Sequence, residues 1–344
     1  MASTEFLQFR DEPWKAPDPS RVRLLRPARA VYGYPDLEAA ERFLVEFGLR
    51  EVGRSQDPPS ISFVGHDTHP VSFVAQKADA PQLLGYYFES ASQDDFDKAA
   101  KVPGAGPITP LKTLGGGYSI TIIDPSGLPF GVVYGVEKRE YDPPPKELLP
   151  HNYPAAGDWD KDKKPRRGKY QRLTHGRIPV YKLGHCGYWT KDLQESVRFY
   201  VKYFNFVPSD IMMLEQANRP LLAFFRLGLG KDYTDHHCFI LTQSGAPGPP
   251  PGPHHASFEV ESADHQFIGH EHLSSLGYTP FWGVGRHIEG SQVFDYWLDG
   301  SGFMLEHYAD GDLLNEDSET NWVSMTRDKH SNWGPDFPPN LQRE

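Results

Sequence analysis

The chain has 344 residues, of which 38% are hydrophobic, 13% aromatic and 24% charged. It is long enough for two domains with buried cores, and its 32 Gly and 32 Pro indicate many turns without the composition of a disordered or collagen-like protein. The net charge of −11 would repel nucleic-acid phosphates, so we expect no nucleic-acid partner.

Targeting and redox signals favour a cytoplasmic protein. No run approaches the roughly 18 apolar residues of a membrane span, and the first residues lack the apolar core of a secretory signal. The chain has only two cysteines, Cys186 and Cys238, which fits a reducing compartment better than a disulfide scaffold. We therefore expect no membrane partner, and we expect both thiols to be buried and inert.

Patterned and unpatterned stretches alternate along the chain. The predicted divisions are a polar arm (1–20), a first domain (21–135), a proline-rich and then charge-rich linker (136–177), a second domain (178–310) and a tail (311–344). The tail contains three large aromatic residues, Trp322, Trp333 and Phe337. We expect it to lie back over the body, where it could act as a lid.

The two patterned halves resemble each other in three places. Matching stretches are 27–47 with 183–204, 83–90 with 254–262, and 122–135 with 296–311. Each half opens with a short strand, a turn and an amphipathic helix, and each closes with two strands joined by an Asp-x-Ser-Gly turn. This pattern predicts an α+β protein made of four strand–helix–strands modules, two in each half.

Three metal-binding residue types lie inside apolar strands of the second half. His185 and His255 fall in the opening strands of the third and fourth modules, and Glu306 falls in the closing strand of the fourth. A carboxylate inside such a strand needs a partner, because an unpaired buried charge is costly. Two imidazoles and one carboxylate form the facial triad of non-haem iron(II) sites.

The first half serves as an internal comparison. Aligning the halves sets Arg29 against His185, Leu83 against His255 and, within one residue, Gly131 against Glu306. None of the three first-half residues is a good metal ligand. The metal-binding residues are therefore not required by the fold, and we expect one metal per chain.

The second half resembles the catalytic domain of the type I extradiol ring-cleavage dioxygenases, in the vicinal oxygen chelate superfamily. The motifs that carry the resemblance are Gly184-His185, His236-His237, His254-His255, Gly285-Arg286-His287, Tyr296 and Glu306. They occur in the family's order. The first half shares only the module pattern, and the arm, linker and tail share nothing.

The resemblance implies a vicinal oxygen chelate fold, with four βαβββ modules paired into a non-catalytic and a catalytic domain. It implies that His185, His255 and Glu306 bind Fe(II), or Mn(II) as in some members, with O2 as co-substrate. His237 would be the acid–base beside oxygen, Tyr296 would hydrogen-bond the substrate, and His287 would orient Tyr296 or the substrate hydroxyl. The substrate would be a small catechol-type molecule, and the protein would form a homo-oligomer.

Two alternatives remain open. One is a superfamily metalloenzyme that uses no oxygen, such as a glyoxalase-like isomerase or lyase. His237 and Tyr296 argue against it, because such sites generally use a fourth protein ligand instead. The other is a non-catalytic protein that binds an aromatic ligand, against which the intact triad argues. The other histidines of the second half are expected to be structural, namely His236, His254, His265, His270, His272 and His307.

Overall fold

The structure, a computed structural model, describes residue 14 and residues 18–144, 175–214, 219–245, 249–325 and 331–338. Most of the predicted arm and linker therefore lies outside the described residues. Within these ranges, no helix is both long and apolar enough to cross a membrane.

The first half forms one mixed sheet. In the described residues its strands are β1 Leu24–Tyr34, β2 Arg50–Gln56, β3 Pro59–Val64, β4 Phe73–Lys77, β5 Gln82–Ser90, β6 Thr109–Pro110, β7 Tyr118–Ile123 and β8 Pro129–Tyr134. Helix α1 spans Leu37–Glu46 and helix α2 spans Gln93–Ala99. The strand order is β2-β3-β4-β1-β5-β8-β7-β6.

The second half forms a larger mixed sheet. Its described strands are β9 Leu183–Thr190, β10 Phe206–Leu214, β11 Arg219–Leu227, β12 Thr234–Asp235, β13 Phe239–Gln243, β14 Gly252–Glu259, β15 Pro280–His287, β16 Val293–Leu298, β17 Met304–Ala309, β18 Leu313–Leu314, β19 Asn321–Ser324 and β20 Ser331–Trp333. Helix α3 spans Leu193–Tyr203 and helix α4 spans Ala263–Ser275. The order is β19-β10-β11-β13-β9-β14-β17-β16-β15-β20, and β12 pairs separately with β18.

The predicted modules are confirmed. Within the described ranges the chain runs through four βαβββ units, which begin at β1, β5, β9 and β14. The opening strands of the two units in each sheet pair antiparallel at its centre, β1 with β5 and β9 with β14. The tail adds β19 beside β10 and β20 beside β15.

The helices begin and pack as their sequences indicate. Asp36 and Asp192 are the N-caps of α1 and α3, and each carboxylate accepts a hydrogen bond of 3.0 Å from the amide three residues later. The apolar stripe of α3 is buried, with Leu193, Val197 and Tyr200 against the sheet. Capping and burial together fix α3 against the second sheet.

One hydrophobic core joins the two sheets. The rings of Tyr32 and Phe303 lie 4.4 Å apart, and those of Phe130 and Tyr200 lie 5.2 Å apart. Each pair joins the first half to the second, and all four side chains are buried. This aromatic layer supports the second sheet from one side.

Strand register shows which positions of the two sheets correspond. Arg29 pairs with Tyr87 in the first sheet, and His185 pairs with Ser257 in the second. Arg29 therefore occupies the position of His185, as predicted, and Tyr87 occupies the position of Ser257.

The closing strands extend this correspondence. Tyr87 pairs with Gly131, and Ser257 pairs with Glu306, so Gly131 stands where Glu306 stands. The predicted match of Leu83 to His255 is wrong. Gly85 holds that position, since Gly85 and His255 each stand two residues before the corresponding pair Tyr87 and Ser257. The predicted match followed from aligning the final serines of the two stretches, Ser90 and Ser262, which do not correspond.

Tyr87 fills the space that the predicted metal ligands occupy in the second sheet. A Cβ atom on Gly131 would lie 2.1 Å from the Tyr87 ring, and one on Gly85 would lie 2.7 Å from it. The Tyr87 hydroxyl lies 2.8 Å from Oγ1 of Thr121, which stabilises this placement. While Tyr87 lies there, larger side chains do not fit at the two glycines.

We predict that Gly131→Ala destabilises the protein by about 1–3 kcal/mol, because the added methyl group overpacks against Tyr87. Denaturant unfolding measures the change. Gly300→Ala is the control, since no heavy atom lies within 4 Å of a Cβ placed there. The double variant Tyr87→Leu/Gly131→Ala should recover part of the lost free energy of unfolding. Equal midpoints for Gly131→Ala and the control would contradict the assignment.

Candidate metal centre and its cavity

Three buried side chains converge from neighbouring strands of the second sheet. They are His185 on β9, His255 on β14 and Glu306 on β17, each at most 2% exposed. The two Nε2 atoms lie 3.0 Å apart. Oε2 of Glu306 lies 2.9 Å from Nε2 of His185 and 3.2 Å from Nε2 of His255.

The spacing of these atoms fits one divalent metal ion. Two ligand atoms at about 2.1 Å from a metal and at right angles to each other lie about 3.0 Å apart. The observed separations of 2.9, 3.0 and 3.2 Å match this value for all three pairs. Two imidazoles and one carboxylate on one side of an ion leave positions open on the other side.

The charges at the centre also suit metal binding. Burial raises the pKa of the Glu306 carboxyl, but His185 and His255 outweigh it and lower that pKa well below the usual range. Burial lowers the pKa of His185. An ionised carboxylate beside a neutral imidazole is the form that coordinates a cation.

His254 supports His255 from behind. Nδ1 of His254 lies 2.6 Å from Nδ1 of His255, and the His254 ring stacks on Trp189 with centroids 4.7 Å apart. Burial holds the pKa of His254 well below its usual value. A contact at Nδ1 fixes which nitrogen of His255 faces the candidate metal position.

A cavity of about 330 Å³ opens beside the three side chains. Tyr296 and His287 line one wall, and the Tyr296 hydroxyl lies 2.9 Å from Nε2 of His287. Burial and the nearby charge of Glu306 raise the pKa of Tyr296 well above its usual value. Tyr296 therefore keeps its proton and can donate a hydrogen bond to a ligand.

His237 lines the cavity close to His185, with ring centroids 4.3 Å apart. Burial, together with the neighbouring histidines, lowers its pKa well below the usual value, so the ring is neutral. Nδ1 of His237 lies 3.0 Å from Nδ1 of His236. Four of the six predicted site residues thus line one cavity, namely His237, His255, His287 and Tyr296, and the other two, His185 and Glu306, lie next to His255.

Sequence reasoning missed His236 and His254. Both were expected to be structural, because neighbouring residues on a strand point to opposite faces. Residues 236–238 lie between β12 and β13, and the β14 ladder shifts register between Pro253 and Ala256. Regular alternation therefore fails at both places. The signal for these residues was the His-His doublet itself.

Other candidate groups lie away from the cavity. Three histidines have protein partners elsewhere: His270 with Asp295 (3.0 Å), His272 with Glu46 (2.7 Å) and His307 with the carbonyl oxygen of Phe47 (2.7 Å). Cys186 and Cys238 are buried free thiols, and burial raises the pKa of each well above its usual value. These groups pack the domain.

Comparison with known proteins was made at the levels of sequence and fold. Residues 182–306 match the family model described as the Glyoxalase/Bleomycin resistance protein/Dioxygenase superfamily. Metapyrocatechase 2 of Cupriavidus necator is 26% identical over 333 residues, which cover 93% of this chain and 94% of that protein.

Two solved structures share the fold. Homoprotocatechuate 2,3-dioxygenase of Brevibacterium fuscum has a TM-score of 0.75 at 18% identity, covering 95% of this chain and 94% of that one. The Mn(II)-bound glyoxalase of Novosphingobium aromaticivorans has a TM-score of 0.73 at 20% identity, covering 93% and 94%. The fold is therefore the vicinal oxygen chelate fold, and the segment that matches the superfamily model contains all six predicted site residues.

Proposed function

We propose that this protein is an extradiol dioxygenase that cleaves a catechol-type ring beside its diol with O2. The observation that carries the proposal is the cluster of His185, His255 and Glu306, whose ligand atoms lie 2.9–3.2 Å apart beside a cavity. The resemblance in sequence to a metapyrocatechase over nearly the whole chain supports it.

The proposed cofactor is one Fe(II) or Mn(II) ion held by these three side chains. When bound, the metal supplies open positions for the catechol oxygens and O2 and lowers the pKa of the catechol hydroxyls. Both ions accept this ligand set.

The roles of the other residues follow from their protonation and position. His237 is neutral, so it can accept a proton from a catechol hydroxyl and return it later. Tyr296 keeps its proton and can donate a hydrogen bond to a substrate oxygen, and His287 orients that hydroxyl at 2.9 Å. Cavity walls of aromatic and aliphatic side chains exclude bulk water.

The competing function is that of a superfamily metalloenzyme that uses no oxygen, and the Mn(II)-bound glyoxalase shares only the fold. In the described part of the chain, the candidate metal group contains His185, His255 and Glu306 and no fourth protein ligand. The presence of His237 and of the Tyr296–His287 pair in the cavity lining favours the dioxygenase function over the glyoxalase-like one.

A cytoplasmic location and a homo-oligomeric state are further parts of the proposal. The free thiols of Cys186 and Cys238 support a reducing compartment. Sedimentation of the purified chain tests the oligomeric state.

We predict that Glu306→Ala lowers metal affinity by more than about 100-fold, beyond the loss typical of a residue that only supports a ligand, and abolishes activity. Metal analysis after dialysis checks the first effect. Glu259→Gln on β14 is the control, because Glu259 pairs with Lys182 away from the centre. A Glu306→Ala protein with full metal content would refute the ligand assignment.

We predict that protein reconstituted anaerobically with Fe(II) consumes one O2 for each catechol and forms a yellow ring-opened product. An oxygen electrode and an absorbance spectrum, read together over a panel of substituted catechols, measure the ratio. Tight metal binding without oxygen uptake on any catechol would favour the non-oxygen enzyme instead.

A further inference from the structure

A chain of three buried side chains leads to His237. Oδ2 of Asp210 lies 2.8 Å from Nε2 of His236, and Nδ1 of His236 lies 3.0 Å from Nδ1 of His237. The three side chains are buried, and of them only His237 lines the cavity. Asp210 and His236 therefore contact the cavity only through His237.

The chemistry of the three groups limits where the protons can lie. A carboxylate only accepts hydrogen bonds, so His236 donates through Nε2, and a His236 ring that carries this single proton accepts at Nδ1. His237 must then donate from Nδ1, which leaves the lone pair on Nε2. Nε2 is the nitrogen of His237 that makes no hydrogen bond to the described residues, and its ring faces the cavity.

The middle residue is held rigidly. The backbone amide of His236 donates to the carbonyl oxygen of Asp312 at 2.8 Å, and its carbonyl oxygen accepts from Oγ of Ser209 at 2.6 Å. Gly290 packs so closely that a Cβ there would lie 2.7 Å from Nδ1 of His236. The His236 ring thus has little freedom to break the chain.

We propose that His236 carries one ring proton, on Nε2 toward Asp210, and that Asp210 and His236 are positioning residues that hold His237 as the Nδ1–H tautomer, with its basic nitrogen toward the substrate. Only the expected effect on kcat rests on the proposed function, because the arrangement of protons is a property of the chain itself. In other enzymes a buried carboxylate fixes the tautomer of a catalytic histidine in the same way.

Asp210→Asn tests the proposal. If the amide nitrogen faces His236, it donates and reverses the chain, and if the amide oxygen faces it, the charge that favours the original tautomer is lost. In the iron-reconstituted enzyme we expect kcat to fall by about 100-fold, which is within the range of general acid–base contributions. We expect the metal content and the KM for catechol to stay within about twofold of the wild-type values. Asp210→Glu keeps a carboxyl acceptor and should restore most of kcat.

The matched control is Asp295→Asn. Asp295 is fully buried and contacts His270 at 3.0 Å, but it does not line the cavity. We expect the kcat of the Asp295→Asn enzyme to stay within about twofold of the wild-type value. Equal losses in the two asparagine variants, or no loss in Asp210→Asn, would overturn the proposal.

A spectroscopic measurement separates this proposal from the proposed function. Ring-nitrogen NMR of metal-free protein labelled with ¹⁵N-histidine reports the tautomer of each ring, and a His237→Asn spectrum assigns His237. We expect a proton on Nδ1 of His237 in the wild type and a shift toward Nε2–H in Asp210→Asn. Finding Nε2–H in the wild type would overturn the inference even if the enzyme cleaves catechols. Finding Nδ1–H would support it even if the enzyme does not.

The walls of the cavity carry a second inference, independent of the first. Among the described residues that line it, most are large apolar side chains, and they come from several elements; six of them are Trp189, Leu222, Phe224, Ile240, Phe281 and Phe337. No Lys or Arg occurs among the described lining residues. A carboxylate on the substrate would meet no opposite charge on these walls and would lose its hydration.

We infer that, as a dioxygenase, the protein prefers catechols with an uncharged apolar substituent. The test compares 4-ethylcatechol with 3,4-dihydroxyphenylacetate, which is similar in size but carries a carboxylate. We expect kcat/KM to be about 100-fold higher for 4-ethylcatechol, as for a buried charge left unpaired. Equal values, or a preference for the acid, would overturn this inference while leaving the dioxygenase activity intact. Failure of every catechol would instead refute the proposed function.

Discussion

Glu306 carries a carboxylate into the interior of the second sheet, where its side chain is fully buried. An isolated charge in that position would be costly, and much of the surrounding structure compensates for it. His185 on β9 and His255 on β14 approach the same carboxylate oxygen, and together they hold the pKa of Glu306 low despite burial. The pairing of β9, β14 and β17 is thus linked to the chemistry of the centre, because any slip of register would separate the charge from its partners.

The first sheet shows the same scaffold without that charge. Glycines replace His255 and Glu306, and the ring of Tyr87 occupies the space between them. Ser257, which stands where Tyr87 stands, is small enough to leave that space for the imidazoles and the carboxylate. Exchanges at a few corresponding positions, with Ser257 in place of Tyr87 among them, therefore separate a packed core from a site that can receive an ion, with no change in the order of the module strands.

Much of this organisation was predictable from sequence. Repeated strand and helix patterns predicted the modules, and the types and positions of His185, His255 and Glu306 predicted a shared centre. The alignment of the two halves was less secure, because matching the final serines of two stretches gave Leu83 instead of Gly85 as the counterpart of His255. Irregular backbone also places His254 beside His255 at the cavity and His236 behind His237, which strand alternation did not predict. Hydrogen bonds between rings, such as those of His236, depend on side-chain directions that periodicity does not specify.

The two short strands of the tail bear on how copies of the chain can meet. β19 and β20 occupy the opposite outer positions of the larger sheet, so its long inner strands do not form its borders. Exposed borders of sheets invite pairing with another chain, and short terminal strands are a common protection. Extension of this sheet from one subunit into the next is therefore disfavoured. A symmetric assembly of this chain would then form through side-chain surfaces and not through a continued sheet.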